Sequence, residues 1–112
     1  MTEESFTVIE PGSDLGKRLK FTKDKFTGYL SLKDNEVWIS AIISRKPGKH
    51  NLTHLFNRIL KLGYVIKVPQ PFPHMEAIVK AKGFVRTSEY WDKVDENIDV
   101  WVKQADKDRV TA

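Results

Sequence analysis

The stretch 37–69, VWISAIISRKPGKHNLTHLFNRILKLGYVIKVP, decides the fold, because the period of its apolar residues changes twice within it. It opens on a β-branched and aromatic run. Val37, Ile39, Ala41 and Ile43 fall on one face of a strand, and Trp38, Ser40 and Ile42 on the other. Both faces are mostly apolar, so this strand is expected inside a sheet with helices over each side. From residue 52 the spacing becomes helical: Leu52, Leu55, Phe56, Ile59 and Leu60 form one stripe, and Gly63 ends it as a C-terminal cap does. Residues 64–69, YVIKVP, then alternate as a strand. Strand, helix and strand at this length predict a right-handed parallel crossover, so 37–69 is expected to be one βαβ unit.

Working outward, FTGYLSLKDNEVWISAII at 26–43 reads as a hairpin turning at Asp34-Asn35. Beyond the proline-punctuated PQPFP, residues 74–82 predict a short helix with Met75, Ile78 and Val79 inward, stopped at Gly83. FVRTSEYW and IDVWV follow as two strands joined by the polar turn DKVDEN. Trp38, Trp91 and Trp101 all fall in predicted strands, where large rings serve the core. At the other end FTVIE, residues 6–10, reads as a strand closed by Pro11-Gly12-Ser13-Asp14. The stretch 17–25, KRLKFTKDK, carries Lys17, Arg18, Lys20, Lys23 and Lys25 and fits either a solvated loop or an anion-binding strip.

With 112 residues, 40% of them hydrophobic, the chain reads as one domain over 1–112 with a tail from 104. A net charge of +4 permits anionic ligands or nucleic acid without requiring them. The absence of cysteine excludes disulfides, thiolate nucleophiles and cysteine-held zinc. The first ten residues, MTEESFTVIE, contain no apolar run of signal-peptide length, and a cytoplasmic location is expected.

The βαβ unit points to a site. A helix that follows a parallel strand aims its unpaired N–H groups and its dipole at the carboxyl edge of the sheet, where anions are favoured. Arg45, Lys46, Gly48, Lys49, His50 and Asn51 occupy that place, and a pyrophosphate-bearing cofactor fits their chemistry. The alternative is that the glycine relaxes a tight turn and the cations solvate it. His50, His54 and His74 gather at the same edge and allow either a metal site or a proton acceptor.

From about 26 to 103 the order of elements resembles the C-terminal two thirds of the GNAT (general N-acetyltransferase) fold, so the expected class is α+β: a mixed sheet with a central βαβ unit, a C-terminal hairpin and a reduced N-terminal part. Ala81-Lys82-Gly83-Phe84 stands where that family often has Leu-Gly-Phe. The family's pyrophosphate turn, [QR]-x-x-G-x-[GA], is matched by RKPGKH at Arg45 and Gly48 and departs at His50. Shifted by two residues it becomes PGKHNL, and Pro47, His50 and Leu52 take the key positions without matching. Val79 and Phe72 replace the frequent tyrosine and asparagine of the next helix.

The resemblance implies acetyl-CoA as cofactor and direct acyl transfer to an amine, whether a protein lysine, a small amine or a nucleobase. It implies an oxyanion donor at the backbone near Ile43, a general base for which His74 is the candidate, and Tyr90 as an acid. With only 25 residues ahead of the hairpin, the chain is similar in size to small phage-encoded acetyltransferases, and an acceptor site open at that end implies a homodimer. The alternative is a catalytically inactive module that keeps the scaffold and engages nucleic acid, or a protein bound to it, through Lys17, Arg18 and Lys20.

Overall fold

The computed structural model describes residues 6–45, 50–91 and 95–105. Six strands form one mixed sheet. They are β1 (Thr7–Ile9), β2 (Phe26–Lys33), β3 (Glu36–Ser44), β4 (Val65–Pro69), β5 (Val85–Trp91) and β6 (Glu96–Lys103). Their order is β1-β2-β3-β4-β6-β5. β3 and β4 are parallel, as the βαβ reading requires, and the other neighbouring strands are antiparallel. Among the described residues three helices accompany the sheet: α1 (Asp14–Arg18), α2 (Asn51–Lys61) and α3 (Pro73–Ala81).

Both longer helices end in the same way. In α2 the Gly63 N–H donates to the Leu60 carbonyl and the Tyr64 N–H to the Ile59 carbonyl. In α3 Gly83 donates to Lys80 and Phe84 to Val79. Gly63 and Gly83 adopt left-handed φ angles of 94° and 84°, which a side chain would resist. The sequences Leu-Gly-Tyr and Lys-Gly-Phe are therefore helix stops of one design, and the second brings the Phe84 ring to 5.3 Å from that of Phe56 on α2.

The helix stripe is buried as its spacing predicts. Leu55, Phe56 and Ile59 of α2 meet Val37, Ile39, Ile66 and Val68 of the sheet, together with Val79 of α3 and Phe84. Full burial of each such side chain contributes about 1.5–3 kcal/mol. Leu15 of α1 and the Leu19 and Phe21 that follow it pack into the same cluster. All three helices thus lie on one face of the sheet, which corrects the expectation of helices on both. The opposite face carries a smaller cluster made from strands, with Trp38, Ile98 and Val100 buried and Trp91 and Val102 against them. Trp38 suits that face because Phe6, just ahead of β1, makes a T-shaped contact with it at 5.8 Å and Trp91 of β5 lies 5.9 Å away, so aromatic rings cover it in place of a helix.

A second correction lies inside β3. Tyr29 pairs with Ala41 but Ser31 with Trp38, so two steps along β2 match three along β3. The extra residue, at 39–40, is a β-bulge, and it reverses which face each later side chain takes. Ile42 turns to the helix side and packs on the main core, whereas Ile43 turns away and is 69% exposed. Simple alternation from Val37 to Ile43 puts them the other way round.

The basic stretch 17–25 proves to be anchored. Ser13 caps α1 by accepting the Gly16 N–H at 3.1 Å, and the buried Leu19 and Phe21 hold the segment down while Lys17, Arg18 and Lys20 stay exposed. Gly16 is what allows the close approach. A Cβ there would meet the Glu10 carbonyl oxygen at 2.7 Å and the Phe21 carbonyl oxygen at 2.9 Å. Alanine normally stabilises a helix over glycine by about 1 kcal/mol. Here backbone atoms block it, and Gly16→Ala is expected to lower the urea midpoint by the equivalent of about 1–3 kcal/mol; an unchanged or raised midpoint would show that the segment can shift to admit the methyl group.

Candidate functional site

The parallel ladder between β3 and β4 is short. It runs Glu36 with Val65, Val37 with Ile66 and Trp38 with Lys67, and then stops. β3 continues to Ser44 and stays paired with β2 as far as Phe26 opposite Ser44. β4 continues to Pro69 and stays paired with β6. From residue 39 onward the two strands part, each held by its other neighbour, and the bulge in β3 sits where the parting begins. The pairing therefore leaves a gap toward the carboxyl edge, where residues 39–44 of β3 have no ladder partner in β4.

Side chains fasten the closed end of this gap on the face without helices. Lys67 of β4 donates to Glu89 of β5 at 2.8 Å and lies 3.1 Å from the Glu36 carboxylate of β3. Its ammonium also stands 5.2 Å from the centre of the Trp38 ring, whose indole N–H donates to Glu36 at 3.1 Å. Burial pushes the Lys67 pKa down, but hydrogen bonds to Glu89 and Glu36, together with their negative charge, outweigh it and hold the pKa above 10.5.

At the open end stand the residues that the sequence singles out. Ile43 and Arg45 are exposed, and the Arg45 N–H donates to the Lys25 carbonyl at 2.7 Å. His50 is the N-cap of α2 in a left-handed conformation with φ 59°, and its side chain makes no capping hydrogen bond. Asn51 begins the helix with only 9% of its surface exposed. No acidic residue lies in the first turn of α2, so nothing within the turn neutralises the helix dipole. Lys46, Gly48 and Lys49 lie outside the described residues.

The same edge carries the start of α3. Phe72 is its N-cap, 82% exposed and without a side-chain capping bond, and Pro73 and the exposed His74 follow. His50 and His74 therefore sit at the starts of successive helices on the edge toward which β3 and β4 run. His54 lies one turn into α2 and faces a different groove. Among the described residues, no three His, Asp or Glu side chains are grouped as a metal ion requires. Tyr90 lies on the edge strand β5, separated from β4 by β6, and its hydroxyl donates to the Asp95 carboxylate across the hairpin tip.

A second feature was not legible in the local pattern. A groove of about 860 Å³ runs beside α2, lined by Lys20, Lys25, His54, Arg58, Lys61 and Lys103 among others. Lys17 and Arg18 do not line it. The helical spacing of His54, Arg58 and Lys61 is a readable signal, but Lys20, Lys25 and Lys103 join it only through the tertiary fold. No helix among the described residues is long and apolar enough to cross a membrane.

The chain matches no family model, no curated protein and no solved structure.

The Lys67 cluster gives a prediction with a definite sign. A lysine pKa raised by folding contributes stability that is in place below the unfolded value near 10.5 and is lost as pH rises through the folded value. Lys67→Met is therefore expected to cost about 1–3 kcal/mol at pH 8, and the gap from wild type should narrow above pH 10.5. A gap that stays constant with pH in urea unfolding would assign the loss to packing against Trp38 instead.

Proposed function

We propose that this chain is an acyl-coenzyme A-dependent N-acyltransferase of GNAT type with a reduced N-terminal part. The observation that carries the reading is the parting of the parallel pair after Trp38 and Lys67, beside the bulge in β3 and beneath the uncapped start of α2. An extended, amide-bearing ligand can continue the ladder that β3 and β4 leave off, as an added strand does. Its phosphates would then meet the first N–H groups of α2 and the Arg45 side chain. The acid-free first turn suits such an anion, and Lys46, Gly48 and Lys49 precede it in the sequence.

Bound acetyl-coenzyme A would supply a thioester whose carbonyl carbon an amine attacks, forming the C–N bond as the C–S bond breaks. The chain's part is positioning and proton transfer. A backbone N–H beside Ile43, on the side of β3 that is not paired with β2, is the donor toward the developing oxyanion. His74, exposed at the second position of α3, takes the proton that the amine loses. Tyr90 is given no step, because its hydroxyl already donates to Asp95. His50 stands where the family pattern has glycine or alanine, and its bulk crowds the cofactor there.

Calorimetric titration tests the reading. Acetyl-coenzyme A is expected to bind with a micromolar Kd and ADP more weakly. Arg45→Glu, at an exposed side chain, should weaken acetyl-coenzyme A at least tenfold with the urea midpoint unchanged. His74→Ala should leave that affinity in place and lower kcat at pH 7 at least tenfold with an accepted amine. Folded protein that takes up neither acetyl-coenzyme A nor coenzyme A would end this reading.

A further inference from the structure

The groove beside α2 draws cations from four separate parts of the chain. Lys20 follows α1, Lys25 precedes β2, Arg58 and Lys61 stand on α2, and Lys103 ends β6. His54 adds a sixth basic group, and among the described residues no carboxylate lines the groove. Elsewhere the fold pairs cations within the sheet: Lys67 lies between Glu36 and Glu89, and Arg86 donates to Asp99 at 2.7 Å. The Lys103 ammonium is oriented by the Lys82 carbonyl at 3.1 Å, so at least one of the groove's charges is held in place by a neutral group. Bringing like charges together without a counter-charge is unfavourable, and an external anion would remove that repulsion.

The lining also says which anion. Among the described residues its apolar part is Leu60 and Ala105, and none of them offers an aromatic ring on which a base could stack. Stacking on aromatic rings is the main attachment of single strands and of free nucleotides. Here the donors are ammonium, guanidinium and imidazole groups, which suit phosphate oxygens of a continuous backbone. The seven-residue rise from His54 to Lys61 spans about 10 Å, close to three base-pair steps at about 3.4 Å of axial rise each, the reach of four successive phosphates on one strand. A concave track of this kind fits a phosphate ridge, whereas a lipid surface favours a convex or flat face that can insert apolar side chains.

We propose that this groove is a sequence-independent docking site for the phosphate backbone of double-stranded nucleic acid. The site is separate from the gap between β3 and β4, and it stands whether or not the chain binds coenzyme A.

The test is fluorescence anisotropy with a labelled 20-base-pair DNA duplex of mixed sequence, using the whole chain from 50 to 200 mM KCl. Micromolar binding is expected at 50 mM, with log K falling against log salt at a slope of about −4, as about five neutralised phosphates require. Lys61→Glu and Lys80→Glu form a matched pair, because each reverses one exposed lysine in the last turn of a helix and only Lys61 lines the groove. Lys61→Glu should weaken binding at least fivefold and flatten the slope by about one, Lys20→Glu should do the same, and Lys80→Glu should change affinity less than twofold. Urea midpoints establish that the variants are folded. Equal losses from Lys61→Glu and Lys80→Glu would reduce the effect to net charge and overturn the proposal. So would single-stranded DNA binding as tightly as duplex, binding to phosphatidylserine vesicles without binding to duplex, or no duplex binding at 50 mM KCl.

Discussion

The structure depends on where β3 lets go of β4. Three rungs of parallel ladder join two antiparallel half-sheets, β1-β2-β3 on one side and β4-β6-β5 on the other. Beyond the third rung the bulge bends β3 along with β2, while β4 follows β6. Two things keep the halves together. On one face α2 straddles the junction, with Leu55, Phe56 and Ile59 in the same cluster as Val37 and Ile39 of β3 and Ile66 and Val68 of β4. On the other, Lys67 ties Glu36 of one half to Glu89 of the other beside Trp38. The apolar side supplies most of the cohesion and the ionic side fixes register, because a one-residue slip would remove Lys67 from both carboxylates.

Much of this was legible in the residues. The hairpin at Asp34-Asn35, the α2 stripe, the glycine stops and the closing hairpin rest on local chemistry, and local chemistry is what a sequence displays. The bulge is different. Residues 37–43 are apolar at nearly every position, so either parity of facing looks acceptable, and only the pairing of Ser31 with Trp38 reveals the extra residue. The one-sided placement of the helices was hidden for a related reason. Trp38 looks like a residue that needs a helix above it, yet Phe6, just ahead of β1, and Trp91 of β5 supply the cover. In 17–25, Leu19 and Phe21 match a strand's spacing within a charged run, and neither pattern announces that both are wholly buried beside a one-turn helix.

For the candidate site, position was legible and completeness was not. That Arg45, His50, Asn51 and His74 share the carboxyl edge follows from the order of strands and helices. Whether a tyrosine on β5 is available for chemistry depends on the turn opposite it, and Asp95 takes its hydroxyl. The basic groove lay further out of reach still, since its lining runs from residue 20 to residue 105 and only the α2 portion has a period.

The treatment of helix ends joins these observations into one argument. α2 and α3 finish with two backbone hydrogen bonds each, closed by Gly63 and Gly83. α1, only five residues long, has Ser13 to cap its start. The starts of α2 and α3 have His50 and Phe72 as N-caps, and neither side chain caps. At Phe72, whose backbone is extended, serine, threonine, aspartate or asparagine would satisfy a donor at a gain of about 1 kcal/mol. Asparagine is in fact present next to His50, one position too late to act as the cap. Leaving these N–H groups to water costs little while they stay exposed, and it keeps them available as donors at the edge where the sheet opens. A carboxylate at either cap would compete with an anionic ligand for those donors. The two starts are not alike, because the first turn of α2 holds no acidic residue whereas that of α3 carries Glu76, so the proposed anion would be received at α2 and not at α3.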